Sequence, residues 1–197
     1  MYFPHLPNTE TNQKRLELLN QKGIVVWLTG LSGSGKSTIA SGLEKKLTNQ
    51  GYISVWLDGD NLRCNLNSDL GFNQKDRLEN VRRAAEISKL FVDVGIIVIC
   101  SLISPDISMR RLAKTIIGSN NFFCIYVNSD IDVCMKRDVK GLYNFARSGE
   151  IPNFTGMGSK YTPPSNPFLE LDSSKFTETE SVETLYKQLL PHLERIK

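Results

Sequence analysis

Short apolar runs alternate along the chain with longer segments in which apolar residues recur every three or four positions. The apolar runs predict buried strands at residues 24–28, 53–57, 96–100 and 122–127. The helical periodicity between and after them predicts helices at about 36–50, 74–94, 106–117, 130–147 and 179–195. Strands that alternate with helices are joined by right-handed crossovers. The pattern therefore predicts an α/β fold, a doubly wound parallel sheet with helices on both faces.

Two segments depart from this alternation. Residues 1–22 are mostly polar and suggest only a short helix, so we expect an N-terminal extension packed on the surface of a single domain at 23–197. Residues 148–172 are rich in glycine and proline and predict a long loop. A loop of this length in a compact enzyme is often a lid that closes over substrate, with disorder or a surface excursion as the alternatives.

The composition excludes several classes of protein. The 197 residues carry a formal net charge of +3 without a block of like charges, so nothing indicates binding to nucleic acid or to a membrane surface. No apolar run reaches the length of a membrane span, and the amino terminus lacks the basic start and apolar core of a signal peptide. The four cysteines have no CxxC spacing and indicate reduced, mostly buried thiols. We therefore expect a cytoplasmic protein.

A glycine-rich segment follows the first predicted strand. Residues 30–38 read Gly-Leu-Ser-Gly-Ser-Gly-Lys-Ser-Thr. Four residues separate Gly30 from Gly-Lys-Ser at 35–37, which is the spacing of a phosphate-binding loop. Backbone N–H groups of such a loop surround an anion, the Lys36 ammonium reaches the outer phosphates, and the Ser37 hydroxyl can hold Mg²⁺. The alternative is a chance glycine-rich turn before a helix. The predicted site for ATP consists of Gly30, Leu31, Ser32, Gly33, Ser34, Gly35, Lys36, Ser37 and Thr38.

Two carboxylates follow the second predicted strand. Asp58 and Asp60 should emerge at the same carboxyl edge of the sheet as the phosphate loop. A carboxylate there can orient magnesium-bound water or accept the proton of an attacking hydroxyl, although an Asp-Gly pair is also ordinary turn chemistry. Residues 96–103 contain no Asp or Glu, so the magnesium-linked aspartate that ends the third strand in many ATPases is absent.

Basic and aromatic residues follow these carboxylates. Arg77 and Asn80 share one face of the long predicted helix with the apolar positions 84, 87, 91 and 94, which places both polar residues inward at the helix start. They could hold an anionic acceptor there. Phe72 could stack on a base or plug the core. Arg82 and Arg83 are predicted to point toward solvent.

The order of these motifs resembles the adenylylsulfate kinase family. The resemblance covers about residues 23–172 and rests on seven segments of two to nine residues in sequence order. These segments are 30–38, Asp-Gly-Asp-Asn-Leu-Arg at 58–63, Gly-Phe at 71–72, Asp-Arg-Leu-Glu-Asn-Val-Arg-Arg at 76–83, Ile-Ser-Pro at 103–105, Arg-Asp-Val-Lys-Gly-Leu-Tyr at 137–143 and Phe-Thr-Gly at 154–156. It implies a P-loop NTPase-type sheet with a lid, a homodimer, and Mg²⁺-dependent transfer of the ATP γ-phosphate to the ribose 3′-hydroxyl of adenosine 5′-phosphosulfate (APS).

The same resemblance implies a role for individual residues. Lys36 and Ser37 would contact the ATP phosphates and Mg²⁺, and Asp58 would be the catalytic base or would orient magnesium-bound water. Arg137 would lie near the ATP adenine or phosphates. Ser104 matches a serine described in some family members as a phosphoenzyme intermediate, a role that in-line phosphoryl transfer does not need. The residues expected around the acceptor are Asp60, Arg63, Phe72, Arg77, Asn80, Ile103, Ser104, Lys140 and Phe154.

Departures from the family pattern keep other functions open. Asp106 and Ile107 follow the Ile-Ser-Pro segment where the family usually has Tyr-Arg, and of the later Asp-Arg only Arg110 is retained. Gly158 and Lys160 replace an acidic residue and a proline in the predicted lid. The alternatives are a related kinase for another nucleotide in a surface-polysaccharide pathway and a non-catalytic nucleotide-binding regulator. A GTPase-like switch is disfavoured because no Asn-Lys-x-Asp segment is present.

Overall fold

The computed structural model of the chain describes residues 9–150 and 154–193. The strands are β1 (Val25–Thr29), β2 (Ser54–Asp58), β3 (Ile97–Ser101), β4 (Phe122–Asn128) and β5 (Leu169–Asp172). The helices are α1 (Thr9–Leu19), α2 (Lys36–Asn49), α3 (Gly59–Cys64), α4 (Gln74–Asp93), α5 (Ile107–Ile117), α6 (Ile131–Arg137), α7 (Leu142–Arg147) and α8 (Glu178–Leu189), followed by a 3-10 turn at Leu190–His192. Each strand and helix predicted from the sequence is present. The predicted positions 1–8 of the extension, 151–153 of the lid and 194–195 of the last helix lie outside the described residues.

The five strands form one parallel sheet in the order β2-β3-β1-β4-β5. All five residues of β1 and of β3 are buried, as expected for strands covered on both faces. The chain order reverses beside β1, whose carboxyl end is therefore the place where a doubly wound sheet opens a crevice for a ligand. The predicted doubly wound sheet with helices on both faces is confirmed.

Helices cover the sheet in two layers. Leu43 of α2 and Leu185 of α8 belong to the apolar cluster on one face, and Ala84 of α4 and Met109 of α5 belong to the cluster on the other. Since the two faces of β1 feed both clusters, β1 is fixed in the middle of the domain. This fixes the point at which the glycine-rich loop leaves the sheet.

Two predictions are corrected by the structure. The loop predicted for 148–172 is wrong at its carboxyl end, because Leu169–Asp172 pairs with β4 as the edge strand β5. Four residues after three prolines carry too short a pattern to be recognised without that pairing. The apolar stripe predicted on α4 is rotated by about one position. Its buried residues are Asn80, Val81, Ala84, Ala85, Ser88 and Val92.

The described part of the amino-terminal extension lies on the surface near the amino ends of β2 and β3, away from the crevice. Leu16 and Leu19 of α1 lie against Gly95, whose φ of +88° is the left-handed conformation that favours glycine. Buried Gln21 donates to the carbonyls of Ile53 and Gly95 and accepts from the Ile53 N–H. The extension is thereby tied to two loops far from the crevice, as the surface position predicted for it requires.

Candidate active site

The glycine-rich loop wraps the carboxyl end of β1. A Cβ on Gly30 would lie 2.3 Å from the Val127 carbonyl oxygen, so only glycine fits there. Gly33 and Gly35 have φ values of +75° and +93°, and Gly35 caps the start of α2. The loop therefore has the backbone that an anion cradle at a helix start requires.

Lys36 is buried within this loop. Its Nζ donates to the carbonyl oxygens of Gly30, at 3.0 Å, and Leu31, at 2.6 Å. Burial lowers the pKa of Lys36 to about 8, even though the charges of Asp58 and Asp60 oppose that shift. A cation with this little solvent around it would gain strongly from a phosphate oxygen beside it.

Asp58 joins the second strand to the phosphate loop. Its Oδ2 accepts from the Ser37 hydroxyl at 2.8 Å and from the Ser101 hydroxyl at 2.7 Å. Its Oδ1 accepts from the N–H groups of Asp60 and Asn61, which makes Asp58 the N-cap of α3. Burial alone would raise the pKa of Asp58, but the hydrogen bonds from Ser101, Ser37 and the Asp60 N–H outweigh it and lower the pKa. Asp58 is thus an ionised carboxylate held against the loop.

The Asp58 geometry depends on a residue that sequence reasoning missed. Ser101 ends β3, directly beside Asp58 in the parallel register, and its hydroxyl accepts from Trp56 Nε1 at 2.8 Å. Because the indole N–H occupies one side of the Ser101 oxygen, the Ser101 proton is directed to Asp58. The strand position itself was the available signal, since Ser101 occupies the place where many ATPases carry their aspartate.

Asp60 lies two residues further along, in the first turn of α3, and forms an ion pair with Lys140. Burial alone would lower the pKa of Lys140, but the hydrogen bond and charge of Asp60 raise it above its ordinary value. Lys140 therefore brings a positive charge from the loop between α6 and α7 to the carboxylates that follow β2. Phe154 is buried nearby, edge-on to the Tyr143 ring at 5.0 Å between centroids.

Arginine, aromatic and amide groups form the other side of the crevice. The Arg63 guanidinium lies 4.5 Å from the centre of the Phe72 ring, which is 58% exposed and so is not a core plug. Arg77 donates from Nε to the Phe72 carbonyl at 2.7 Å and from Nη1 to the Thr155 hydroxyl at 2.6 Å. Asn80 is buried and its Oδ1 accepts from Asn67 Nδ2. An exposed aromatic face between guanidinium groups suits a flat, anionic ligand.

Arg82 and Arg83 take no part in this arrangement. Arg82 pairs with Glu79 and Glu86, and Arg83 pairs with Asp69 and Glu79. The position toward solvent predicted for both is confirmed.

The segment after β3 contributes Ile103 and Ser104 to the wall of the crevice. Ile103 has its carbonyl bonded by the Thr29 hydroxyl at 2.7 Å, which leaves its side chain to line the cavity. Ser104 is buried, with its hydroxyl accepting from Trp27 Nε1 at 3.1 Å and donating to the Leu102 carbonyl at 3.3 Å. These contacts give the Ser104 hydroxyl a structural role in holding the segment after β3. Its role as a phosphoenzyme residue stays a prediction.

Arg137 lies against the phosphate loop, where it lines the crevice next to a second residue that sequence reasoning missed. Its guanidinium donates to the Ser173 carbonyl at 2.7 Å and to the Gly33 carbonyl at 3.4 Å. Ser173 in turn donates to the Ser34 carbonyl at 2.7 Å. The phosphate loop is therefore braced by the residue that follows β5. Recognition of β5 would have pointed to Ser173, because parallel strands end at the same edge of the sheet.

One cavity of about 570 Å³ brings most of the predicted site together. It is lined by Lys36, Ser37 and the two carboxylates on one side and by Arg77 and the aromatic residues on the other. Of the predicted residues, Gly30, Leu31 and Ser34 do not line it; these three form the body of the loop. A volume of this size accommodates a nucleotide-sized ligand. The predicted ATP and acceptor residues thus share one space.

Comparison with known proteins places this geometry in context. The adenylylsulphate kinase family model matches residues 22–172. An adenylyl-sulfate kinase of Bacteroides thetaiotaomicron is 48% identical over 193 residues, 98% of this chain and 96% of that protein. One from Clostridium acetobutylicum is 52% identical over 180 residues, 91% and 90% of the two chains. The Mycobacterium tuberculosis APS kinase CysC, solved in complex with AMPPNP and APS, superposes with a TM-score of 0.83 at 42% identity, covering 86% of this chain and 98% of that one.

Proposed function

The chain belongs to the adenylylsulphate kinase family, and from that membership we propose that it transfers the γ-phosphate of ATP to the ribose 3′-hydroxyl of APS. The observation that carries the proposal is the single cavity in which the phosphate loop and Asp58 face Arg63, Phe72 and Arg77. Phosphoryl transfer needs donor, acceptor and stabilising charges in one space, and the residues that line this cavity offer groups suited to each. The solved relative that binds both AMPPNP and APS supports the same pairing of ligands.

On the donor side, the loop N–H groups and Lys36 bind the triphosphate. The Lys36 ammonium exchanges the loop carbonyls for phosphate oxygens, which keeps it charged and places it where negative charge develops in the transition state. Arg137 and Ser173 donate hydrogen bonds to the Gly33 and Ser34 carbonyls of the loop, so the loop keeps its shape when the phosphates arrive. The chain uses rigid backbone donors here because they cost no reorganisation during the reaction.

Mg²⁺ fits the residues beside the loop. The Ser37 hydroxyl and the Asp58 carboxylate are hard oxygen donors 2.8 Å apart, and Mg²⁺ prefers one or two such groups together with phosphate oxygens and water. Among the described residues no cluster of three or more His, Cys, Asp or Glu side chains forms a protein-only metal cage, which agrees with that preference. Bound Mg²⁺ would neutralise charge on the transferring phosphate.

On the acceptor side, Asp58 orients the attacking group and the arginines hold the nucleotide. The ionised Asp58 carboxylate accepts a hydrogen bond or proton from the ribose hydroxyl, and Asp60 with Lys140 lies next to it. Phe72 and Phe154 provide aromatic faces for the adenine, while Arg63 and Arg77 provide cations for the anionic phosphosulfate. Asn80, Ile103 and Ser104 complete the wall.

An acceptor panel tests this function. We expect ATP-dependent turnover of APS far above that of AMP or of nucleotide diphosphate sugars, and the Lys36→Ala variant to lose it. Preferential phosphorylation of another nucleotide would support the related polysaccharide-pathway kinase instead. ATP binding without turnover of any acceptor would support a regulator. Lys22→Ala, outside the cavity, is the matched control for the removal of a lysine.

Three broader features belong to the same proposal. The chain acts as a homodimer, which the family resemblance supports and which sedimentation of the purified protein tests. It works in the cytoplasm, which the four free thiols support and cell fractionation tests. Residues 23–197 form one catalytic domain whose lid includes residues 154–168. None of the helices among residues 9–150 and 154–193 is long and apolar enough to cross a membrane.

A further inference from the structure

Arg110 of α5 is a buried guanidinium that joins two distant segments of the chain. It is 6% exposed, and it donates from Nη1 to the Ser104 carbonyl and from Nη2 to the Thr162 carbonyl, both at 2.6 Å. Within the part of the chain that the structure describes, carbonyl oxygens are its hydrogen-bond acceptors and no ion pair is formed. A buried cation that depends on two carbonyls is stranded if either one moves away. Arg110 therefore ties the two segments to each other.

One of these segments is strained and borders the acceptor space. Ser104 has a φ of +37°, in the left-handed region that a residue other than glycine occupies only when its surroundings hold it there. The conformation turns the Ser104 carbonyl toward Arg110, and the Thr29 hydroxyl also reaches it at 3.4 Å. Release of the carbonyl would let the backbone relax and move the Ile103 side chain in the cavity wall.

The other segment is the base of the predicted lid. The Thr162 N–H donates to the Pro105 carbonyl at 2.9 Å, and the Tyr161 hydroxyl lies 3.0 Å from the Thr29 hydroxyl. The Tyr161 ring stacks on Tyr126 at 5.9 Å between centroids, with the Arg110 guanidinium 5.8 Å from its centre. This part of the loop is therefore fixed to the carboxyl ends of β1 and β4.

We propose that Arg110 is a positioning residue that clamps the lid base at Thr162 to the strained Ser104 backbone and so sets the geometry of the acceptor side of the cavity. The inference rests on the proposed kinase function. The acceptor side and the ATP side of the cavity depend on different contacts, because the phosphate loop is braced independently by Arg137 and Ser173. Loss of the clamp should therefore weaken use of the acceptor and leave ATP binding intact.

The test replaces Arg110 with Met and compares it with Arg111→Met, which removes an exposed arginine from the same helix. We expect Arg110→Met to raise the KM for APS roughly 10- to 100-fold, the equivalent of one lost hydrogen bond to a charged group. The Kd for ATP should change less than about twofold, because the contacts that hold the phosphate loop are not removed. Arg110→Lys, with a single ammonium for two carbonyls, should lie between these variants. Equal losses for ATP and APS, as from general unfolding, would overturn the proposal.

Hydrogen exchange supplies a readout that does not depend on turnover. Pro163, Pro164 and Pro167 carry no N–H, so a peptide that covers residues 161–168 reports chiefly on a few amides, including the bonded Thr162 N–H. Exchange of this peptide should accelerate in Arg110→Met and in Arg110→Lys but not in Arg111→Met. Unchanged protection in both Arg110 variants would overturn the clamp. Absence of APS turnover in the unmodified chain would instead refute the proposed function and leave the exchange test valid. Should Arg110→Met fail to fold, Arg110→Lys is judged by the same two criteria.

Discussion

Replacement of Ser101 by Ala tests how the protein holds its proposed catalytic carboxylate. The change removes one oxygen from the end of β3 and leaves the strand pairing with β2 intact. It breaks the 2.7 Å hydrogen bond to Asp58 Oδ2 and leaves Trp56 Nε1 without its acceptor. Since Ala is smaller than Ser, no steric strain is introduced. The effect therefore reports on the lost Asp58 contact together with the unpaired Trp56 N–H.

The expected magnitude follows from the remaining contacts of Asp58. A hydrogen bond to a charged group contributes about 1.5–3 kcal/mol. Donors from Ser37, Asp60 and Asn61 remain, so the lower value of about 1.5 kcal/mol applies, which corresponds to a loss of roughly tenfold in kcat. Each 1 kcal/mol of stability that the variant loses would lower Tm by about 2–4 °C in a domain of this size.

The same variant shifts a pH dependence in a defined direction. Loss of the Ser101 hydrogen bond raises the pKa of Asp58 from its lowered value. A carboxylate with a lowered pKa in the folded state stabilises the fold above its unfolded pKa, and this contribution is lost as pH falls through the folded-state pKa. Ser101→Ala should therefore have less of this stabilisation at neutral pH and lose it at a higher pH than the unmodified chain.

The assay is steady-state kinetics at saturating ATP and APS, with melting curves between pH 3 and pH 8, around the ordinary aspartate range of about 3.9. Ser54→Ala is the matched control, because the Ser54 hydroxyl at the start of β2 is buried and has no hydrogen-bond partner within residues 9–150 and 154–193. That variant should retain kcat. An unchanged kcat in Ser101→Ala, or an equal fall in both variants, would refute the role assigned to the Ser101–Asp58 contact.

Three further predictions follow from individual contacts. Arg77→Ala should raise the KM for APS at least tenfold, because a hydrogen bond to a charged group contributes about 1.5–3 kcal/mol. Arg82→Ala should leave the KM unchanged, and equal KM values in the two variants would contradict the assignment of Arg77 to the acceptor. Because burial lowers the pKa of Lys36 to about 8 and only the charged form attracts phosphate, ATP affinity measured by calorimetry should fall as pH rises past that value; a constant affinity to pH 10, two units above that pKa, would argue against the buried lysine. A thiol reagent should modify exposed Cys64 first and Cys100, whose pKa burial raises to about 12, only on unfolding; early modification of Cys100 would contradict the packing of β3.

Most residues predicted for the site line one cavity, whereas the edge strand of the sheet was missed. The phosphate loop and the carboxylates after β2 are short-range motifs next to long apolar strands, so the topology brings them together without further information. Strand β5 has four residues beside a proline-rich segment, and only its pairing with β4 defines it. Because β5 was missed, the brace that Ser173 gives the phosphate loop could not be inferred.

Side-chain hydrogen bonds across strands were also beyond the sequence pattern. The contact of Ser101 with Asp58 joins residues 43 positions apart and depends on the register of β2 against β3. The link from Arg110 to Thr162 depends on how the lid base lies against α5. Alternating hydrophobicity can indicate the register between strands, but β2 and β3 show no alternation in burial from which their register could be inferred. On α4 even the buried face was displaced by about one position, because the helix packs against both β3 and α5.

The most direct test of the central claim is a crystal structure of this chain with AMPPNP, Mg²⁺ and APS bound together. We expect the triphosphate on the glycine-rich loop with its outer phosphates at Lys36, and the APS adenine and phosphosulfate in the same cavity against Phe72 and Arg77. The ribose 3′-hydroxyl should point to Asp58 and to the γ-phosphate. APS bound outside that cavity, or with its 3′-hydroxyl turned away from the γ-phosphate, would contradict the proposed reaction.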